Sequence, residues 1–290
     1  MTWPTRLGLP AALIAVAVTL LAPRHSRAAV PGGMDAKMNL AFVLLPEAKL
    51  PKGEAIVRAF ATYAVKGQSL RYRPEKQAKW KNKDEEVLVL EADGGQALVA
   101  FTPKPIPNGE AEEAVRYSIS ALGGKWKLPP HKAHLVVTLH SRGDAMTRLS
   151  LLTSIVAAIA DASSAVGIYW GNAGATHDPK FFCEIAKERT TPSRLVLWVG
   201  VSIAREKGRY NLLSYGMNQF ELPDLLLVGP PAKSDGAISF MLDLLGMVVE
   251  GGKPLPEGDT VGRTATEKLV VHYVPSPVDR KAKVWRVEMK

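Results

Sequence analysis

The sequence predicts an α+β protein whose sheets are mostly antiparallel and whose helices pack on one face of each sheet. Three observations carry this. Short apolar runs of strand length alternate with longer segments of helical periodicity. Turns rich in Gly and charged residues join pairs of those runs, as hairpins require. The chain has 290 residues, 47% of them hydrophobic and 22% charged, which suits a globular protein with a sizeable core.

Asn39–Leu45 (NLAFVLL) reads as a buried strand stopped by Pro46. Residues 53–66 place Ile56, Val57, Phe60, Tyr63 and Ala64 at helical spacing, and Gly67 suits a left-handed helix end. Residues 66–83 are polar and basic, hold Pro74, and read as a long loop. Residues 86–91 and 96–101 flank Ala92-Asp93-Gly94-Gly95, and Asp-Gly tolerates positive φ, so a hairpin is expected. Prolines break the chain at 103–107; residues 110–122 follow as a helix ended by Gly123-Gly124, and residues 134–139 as a buried strand. The order β-α-β-β-α-β is the split βαβ, or ferredoxin-like, arrangement, and it defines a first half at residues 39–140.

Residues 144–163 carry Met146, Leu149, Leu152, Ile155, Val156 and Ile159 on a long helix with Asp144 at its start. The same grammar then recurs. A strand at 166–170 leads to a helix at 179–189 opened by Asp178-Pro179. Residues 195–204 and 209–217 form a hairpin through Glu206-Lys207-Gly208, and 225–228 a short strand. A helix at 235–250 stops at Gly251-Gly252, and strands at 269–274 and 284–288 close the chain. The second half spans 144–290, so two tandem ferredoxin-like sandwiches are expected.

Residues 1–28 differ from the rest. Arg6 precedes the apolar run 11–22, and Ser26-Arg27-Ala28 places small residues at −3 and −1 of a cleavage site before Ala29. The run is too short to span about 30 Å of hydrocarbon, so a cleaved export signal without stable membrane insertion is expected. Translation from Met34 or Met38 is the alternative, and it would leave the protein in the cytoplasm.

The formal net charge is +9, and Arg6, Arg24 and Arg27, with no acid beside them in residues 1–28, supply three of those charges. The remainder is too mild for a nucleic-acid-binding domain. The single cysteine, Cys183, excludes an intramolecular disulfide and any multi-cysteine metal site, and its bulky apolar neighbours suit a packed thiol. No Gly-x-Ser-x-Gly, His-Glu-x-x-His, Gly-x-Gly-x-x-Gly or P-loop pattern occurs, and no cofactor is expected. His134 and His140 would share a strand face about 20 Å apart, too far to hold one ion.

Ala165-Val166-Gly167-Ile168-Tyr169-Trp170, Leu197-Trp198-Val199, Tyr215-Gly216-Met217 and Gly258-Asp259-Thr260-Val261-Gly262 follow one another before a closing strand. In this series the region from about residue 134 to 290 resembles the bacterial domain-of-unknown-function family 4261. The resemblance implies no established activity and no catalytic residues. Domains of this kind resemble small α+β modules found beside polymorphic toxins, which implies immunity-type protein binding. Such domains usually look cytoplasmic, and the export signal departs from that pattern.

Two sets of residues are candidates for function. Arg71, Arg73 and Lys76, in a basic stretch interleaved with Tyr72 and Trp80, suit an acidic protein partner. Tyr169, Trp170, Asn172, His177 and Asp178 leave a buried strand and enter a helix, where binding groups collect; Tyr215 and Asp259 would join them. Asp178 as N-cap with Pro179 at the first helical position explains that pair without a ligand. The expected function is a non-catalytic, immunity-like protein-binding module. The alternative is a small-ligand receptor or hydrolase-type enzyme using the 169–178 loop.

Overall fold

The computed structural model describes residues 39–74, 86–122, 124, 126–206, 208–231 and 236–289. The expected signal segment, Met34, Met38, Lys76 and Trp80 lie outside the described residues.

Asn39–Leu45 (β1) is buried at every position. A strand covered on both faces needs no apolar–polar alternation, which is why its run is continuous. With Leu70–Tyr72 (β2), Val87–Ala92 (β3), Gly95–Thr102 (β4), Ala133–Ser141 (β5), Gly167–Trp170 (β6) and Ala175–His177 (β7) it forms a seven-stranded sheet. The order is β2-β3-β4-β5-β1-β6-β7, and every neighbouring pair is antiparallel. A second, six-stranded sheet holds Gly200–Glu206 (β8), Arg209–Tyr215 (β9), Leu225–Gly229 (β10), Thr260–Val261 (β11), Leu269–Pro275 (β12) and Lys283–Glu288 (β13). Its order is β11-β12-β13-β10-β9-β8, with β10 and β13 parallel.

The described helices are Gly53–Tyr63 (α1), Glu110–Ala114 (α2), Ala145–Ser163 (α3), Pro179–Glu188 (α4), Thr191–Trp198 (α5) and Ala237–Gly251 (α6). α3 packs across β1 and β5 and against α1, α4 and α5; α5 bridges to α6, which lies on β10. Surrounded this way, α3 is buried almost continuously from Leu149 to Ala160, so its apolar residues do not form one stripe. One core runs from Val43, Val137 and Leu152 through Trp198 to Leu227, Met241 and Val287. The opposite face of the first sheet packs Phe42, Val136 and Tyr169 on Ile106, Ala111 and Ala114.

The protein is therefore α+β with antiparallel and mixed sheets, but the strand order departs from a split βαβ. That topology sets the first strand between the hairpin and the closing strand, whereas β5 lies between β4 and β1. The connection from β4 to β5 explains the difference. The single helix expected at 110–122 is α2 followed by the 3₁₀ turns Val115–Tyr117 and Ile119–Ala121, broken where Ser118 turns extended (φ −82°, ψ 133°). This connection lies on the face opposite α1 and α3. β6 and β7 complete the first sheet, so the division expected near residue 144 falls inside it.

Residues 195–198 also differ from expectation. They belong to α5, whose first turn holds a proline, and the strand β8 begins only at Gly200. Gly200 and Gly216 then let the two sheets approach. A Cβ on Gly200 would lie 2.5 Å from Ala173 O. Gly216, at φ +105°, would carry one 2.8 Å from Trp198 O and 3.1 Å from Ala173 Cα. The β6–β7 turn is thereby covered by the end of the second sheet.

Candidate functional site

At this seam a chain of hydrogen bonds fixes every proton along it. His177 Nε2 is 3.0 Å from Leu197 O, and a carbonyl only accepts, so Nε2 donates and Nδ1 is the acceptor. Ser118 Oγ, 2.7 Å from Nδ1, donates to it. With its proton committed, Ser118 Oγ accepts from the Ser120 hydroxyl at 2.7 Å and the Ser120 amide at 3.2 Å. Ser120 Oγ in turn accepts from Asp178 N at 3.1 Å. Burial holds the imidazole neutral, down to about 4, so it stays an acceptor at Nδ1. Ser118 is 1% and His177 0% exposed, so this hydroxyl–imidazole pair faces no substrate.

Of the 169–178 residues, Tyr169, Trp170, Asn172 and His177 are buried and Asp178 is half-buried. The Tyr169 hydroxyl donates to Glu110 Oε1 at 2.8 Å, and burial beside that carboxylate pushes its pKa up. Trp170 Nε1 donates to Gln219 Oε1 at 3.1 Å. Asn172 is buried with neither amide atom partnered. The Asp178 carboxylate accepts from Lys180 N at 2.9 Å and caps α4, with Pro179 at the first helical position. Tyr215, on the outer face of the second sheet, donates to Ser202 Oγ at 3.2 Å and meets Tyr117 edge-on. Asp259 is exposed after Gly258, which sits at φ +85°, and its carbonyl accepts from Val271 N. The structure thus brings Trp170 and His177 to one face of the sheet around Phe182, sends Tyr169 to the opposite face, and leaves Asp259 apart.

The clustered histidines anchor the β4–β5 connection. His134 Nδ1 donates to Lys104 O at 2.8 Å, and His131 Nε2 accepts from Ile106 N at 3.0 Å. Burial lowers His131 and takes His134 down to about 4. Among the described residues no three His, Cys, Asp or Glu side chains converge as a metal site would require.

Arg71 and Arg73 belong to the β2 end of the first sheet, the outermost strand among the described residues. Leu70 and Tyr72 turn toward the core, so both arginines stand on the other face, exposed. Arg73 Nε reaches Glu91 Oε2 at 3.2 Å.

One cleft opens among the ends of α1, α3 and α4, and another between the end of β5 and the start of α3. The first, of about 530 Å³, is lined by Tyr63, Asp161, Lys180, Cys183, Glu184 and Lys187, among others. Tyr63 donates to Asp161 Oδ2 at 3.3 Å, and the Cys183 thiol faces Ala157 O at 3.8 Å. Burial pushes Cys183 up, so the nucleophilic thiolate is disfavoured there. The other cleft, of about 270 Å³, is lined by Leu139, His140, Ser141, Arg148 and Glu221. Its residues carry no distinctive sequence signal, because Ser141 and Arg148 sit in ordinary strand-end and helix patterns, and only Asp144 marks the place.

No curated protein and no solved structure matches the chain. The match to known families takes in Tyr215-Gly216-Met217 and Gly258-Asp259-Thr260-Val261-Gly262 and leaves out the Tyr-Trp and Leu-Trp-Val segments of the first sheet and α5. Residues 213–288, from β9 through α6 to β13, match the family described as Domain of unknown function (DUF4261).

Proposed function

We propose that this chain is an exported, non-catalytic, immunity-like protein-binding module that takes an acidic partner segment on the basic edge of its first sheet. The observation that carries the reading is the exposure of Arg71 on the outermost described strand and of Arg73 immediately after it. An edge strand offers backbone donors and acceptors to an extended segment, and two guanidinium groups beside it favour acidic side chains. The sealed Ser118–His177 pair supports the non-catalytic part, since a nucleophile at 1% exposure meets no substrate.

The test is a pull-down with the exported chain, followed by a salt titration of the captured complex. The double variant Arg71→Glu/Arg73→Glu is expected to weaken capture about tenfold or more, and raised salt to weaken the parent complex. Capture indifferent to both changes would remove the basic edge from the interface. Expressing the full reading frame and sequencing the amino terminus of the mature protein tests export: a start at Ala29 supports it, and a start at Met34 or Met38 opposes it.

A further inference from the structure

Most of the unpartnered buried side-chain polar atoms among the described residues gather at one end of the first sheet. They are both amide atoms of Asn39, both of Asn172, Ser141 Oγ and Arg148 Nε. Buried polar groups are normally satisfied by protein, water or ligand, so such a concentration needs an explanation.

The four residues are neighbours by register. Asn39 opens β1 opposite Leu139, and Ser141 lies two residues further along β5 on the same, helix-bearing face. On the other side of β1, Gly171 N donates to Leu40 O at 3.0 Å and holds the turn containing Asn172 beside the strand's start. Arg148 comes from the first turns of α3, its Nη1 donating to Gly143 O at 2.5 Å while Nε stays unpartnered. Asn39 and Asn172 are 1% and 4% exposed, so bulk water does not reach their amides. Beside them is the cleft of about 270 Å³ lined by Leu139, His140, Ser141, Arg148 and Glu221.

The chemistry of this corner selects its ligand. Arg148 brings a positive charge with an N–H to donate, and Glu221 an exposed carboxylate. Ser141, which also lines the cleft, adds a hydroxyl. One cation and one anion lining the same small cleft complement a molecule that carries both charges. Among the described residues the one ring lining the cleft is the His140 imidazole. The geometry points to a binding site for a small zwitterion of the α-amino-acid class. Its carboxylate would pair with Arg148 and Ser141 and its ammonium with Glu221, while its side group faces Leu139. The site is separate from the basic edge of β2, and its occupancy stands or falls independently of the partner-binding reading.

The experiment is thermal denaturation and calorimetry of the full chain with L-alanine, L-serine and L-aspartate, each compared with its N-acetyl and amide derivatives. At least one free amino acid is expected to raise Tm by about 5 °C at a hundredfold excess over Kd. Blocking either charged group is expected to weaken binding tenfold or more. Arg148→Gln should abolish the response. Glu221→Gln, at an exposed position that leaves the fold intact, should weaken the free amino acid but not its N-acetyl form. The proposal is overturned if no free amino acid binds, if blocked forms bind as well, or if Glu221→Gln changes nothing. Arg71→Glu/Arg73→Glu should leave amino-acid binding unaltered, so loss of the partner and loss of this ligand are told apart.

Discussion

Ser118 Oγ lies 2.7 Å from His177 Nδ1 across the seam where the two sheets meet. A serine beside an imidazole is the geometry of an activated nucleophile, but activation requires a substrate within reach. Here the other partner of the imidazole is Leu197 O, and the next hydroxyl along is Ser120. The same contacts tie the β4–β5 connection to β7 and α5, so the pair acts as a polar cross-brace.

Replacing Ser118 by Ala leaves His177 Nδ1 without its donor in the interior. A loss of about 2 kcal/mol of unfolding free energy is expected, read from urea midpoints. A fluorophosphonate probe should leave the native parent unlabelled. Stoichiometric labelling of Ser118 in the folded protein would contradict the sealed seam.

Three desolvated groups give stability an opposed pH dependence. Burial holds His177 and His134 down to about 4, against about 6.5 in the unfolded chain. The unfolded chain therefore takes up protons first, and these groups lower stability as pH falls from about 6.5 to about 4. Asp224 runs the other way. Burial pushes it up to about 7, so the fold holds its proton while the unfolded chain has lost it. Its contribution is fully present below about 3.9 and is lost as pH rises through about 7. Urea titrations between about pH 4.5 and about pH 7 should separate the two. His177→Gln should flatten the acid-side loss, and Asp224→Asn should steepen it. Identical slopes in parent and variants would contradict the assignment.

Arg194, 1% exposed, donates through Nη1 to Ser150 O at 3.0 Å and through Nη2 to Ala186 O at 2.6 Å and Tyr63 O at 3.2 Å. Tyr63 ends α1 and Ala186 lies in the last turn of α4, so the guanidinium caps two negative helix ends. Desolvation brings its pKa down to about 10, which still leaves it charged at neutral pH. Arg194→Met strands those carbonyls and should cost on the order of 3 kcal/mol. Arg194→Lys, lacking the planar fork, should recover only part of it. A Met variant within about 0.5 kcal/mol of the parent would show that the carbonyls find other partners.

Local signals located β1, the β3–β4 hairpin, α1, α3 and α6, since strand and helix periods report which side of a segment is buried. Asp178-Pro179 marked the start of α4 for the same reason: a cap needs only its own first turn. The apolar run at 195–199 carries no such signal, because five largely buried residues fit a strand or a helix equally well. Its first four close α5.

Residue order and composition were enough to establish an α+β chain, the length and burial of its main elements, and the resemblance of its C-terminal part to family 4261. Long-range packing was needed to place β5 between β4 and β1 and to roof the 169–177 turn with Gly200 and Gly216. It was needed equally to bring Asn39, Ser141, Arg148 and Asn172 into one corner. Each of these depends on segments far apart in the chain finding one register, and periodicity records that a residue is buried without recording against what.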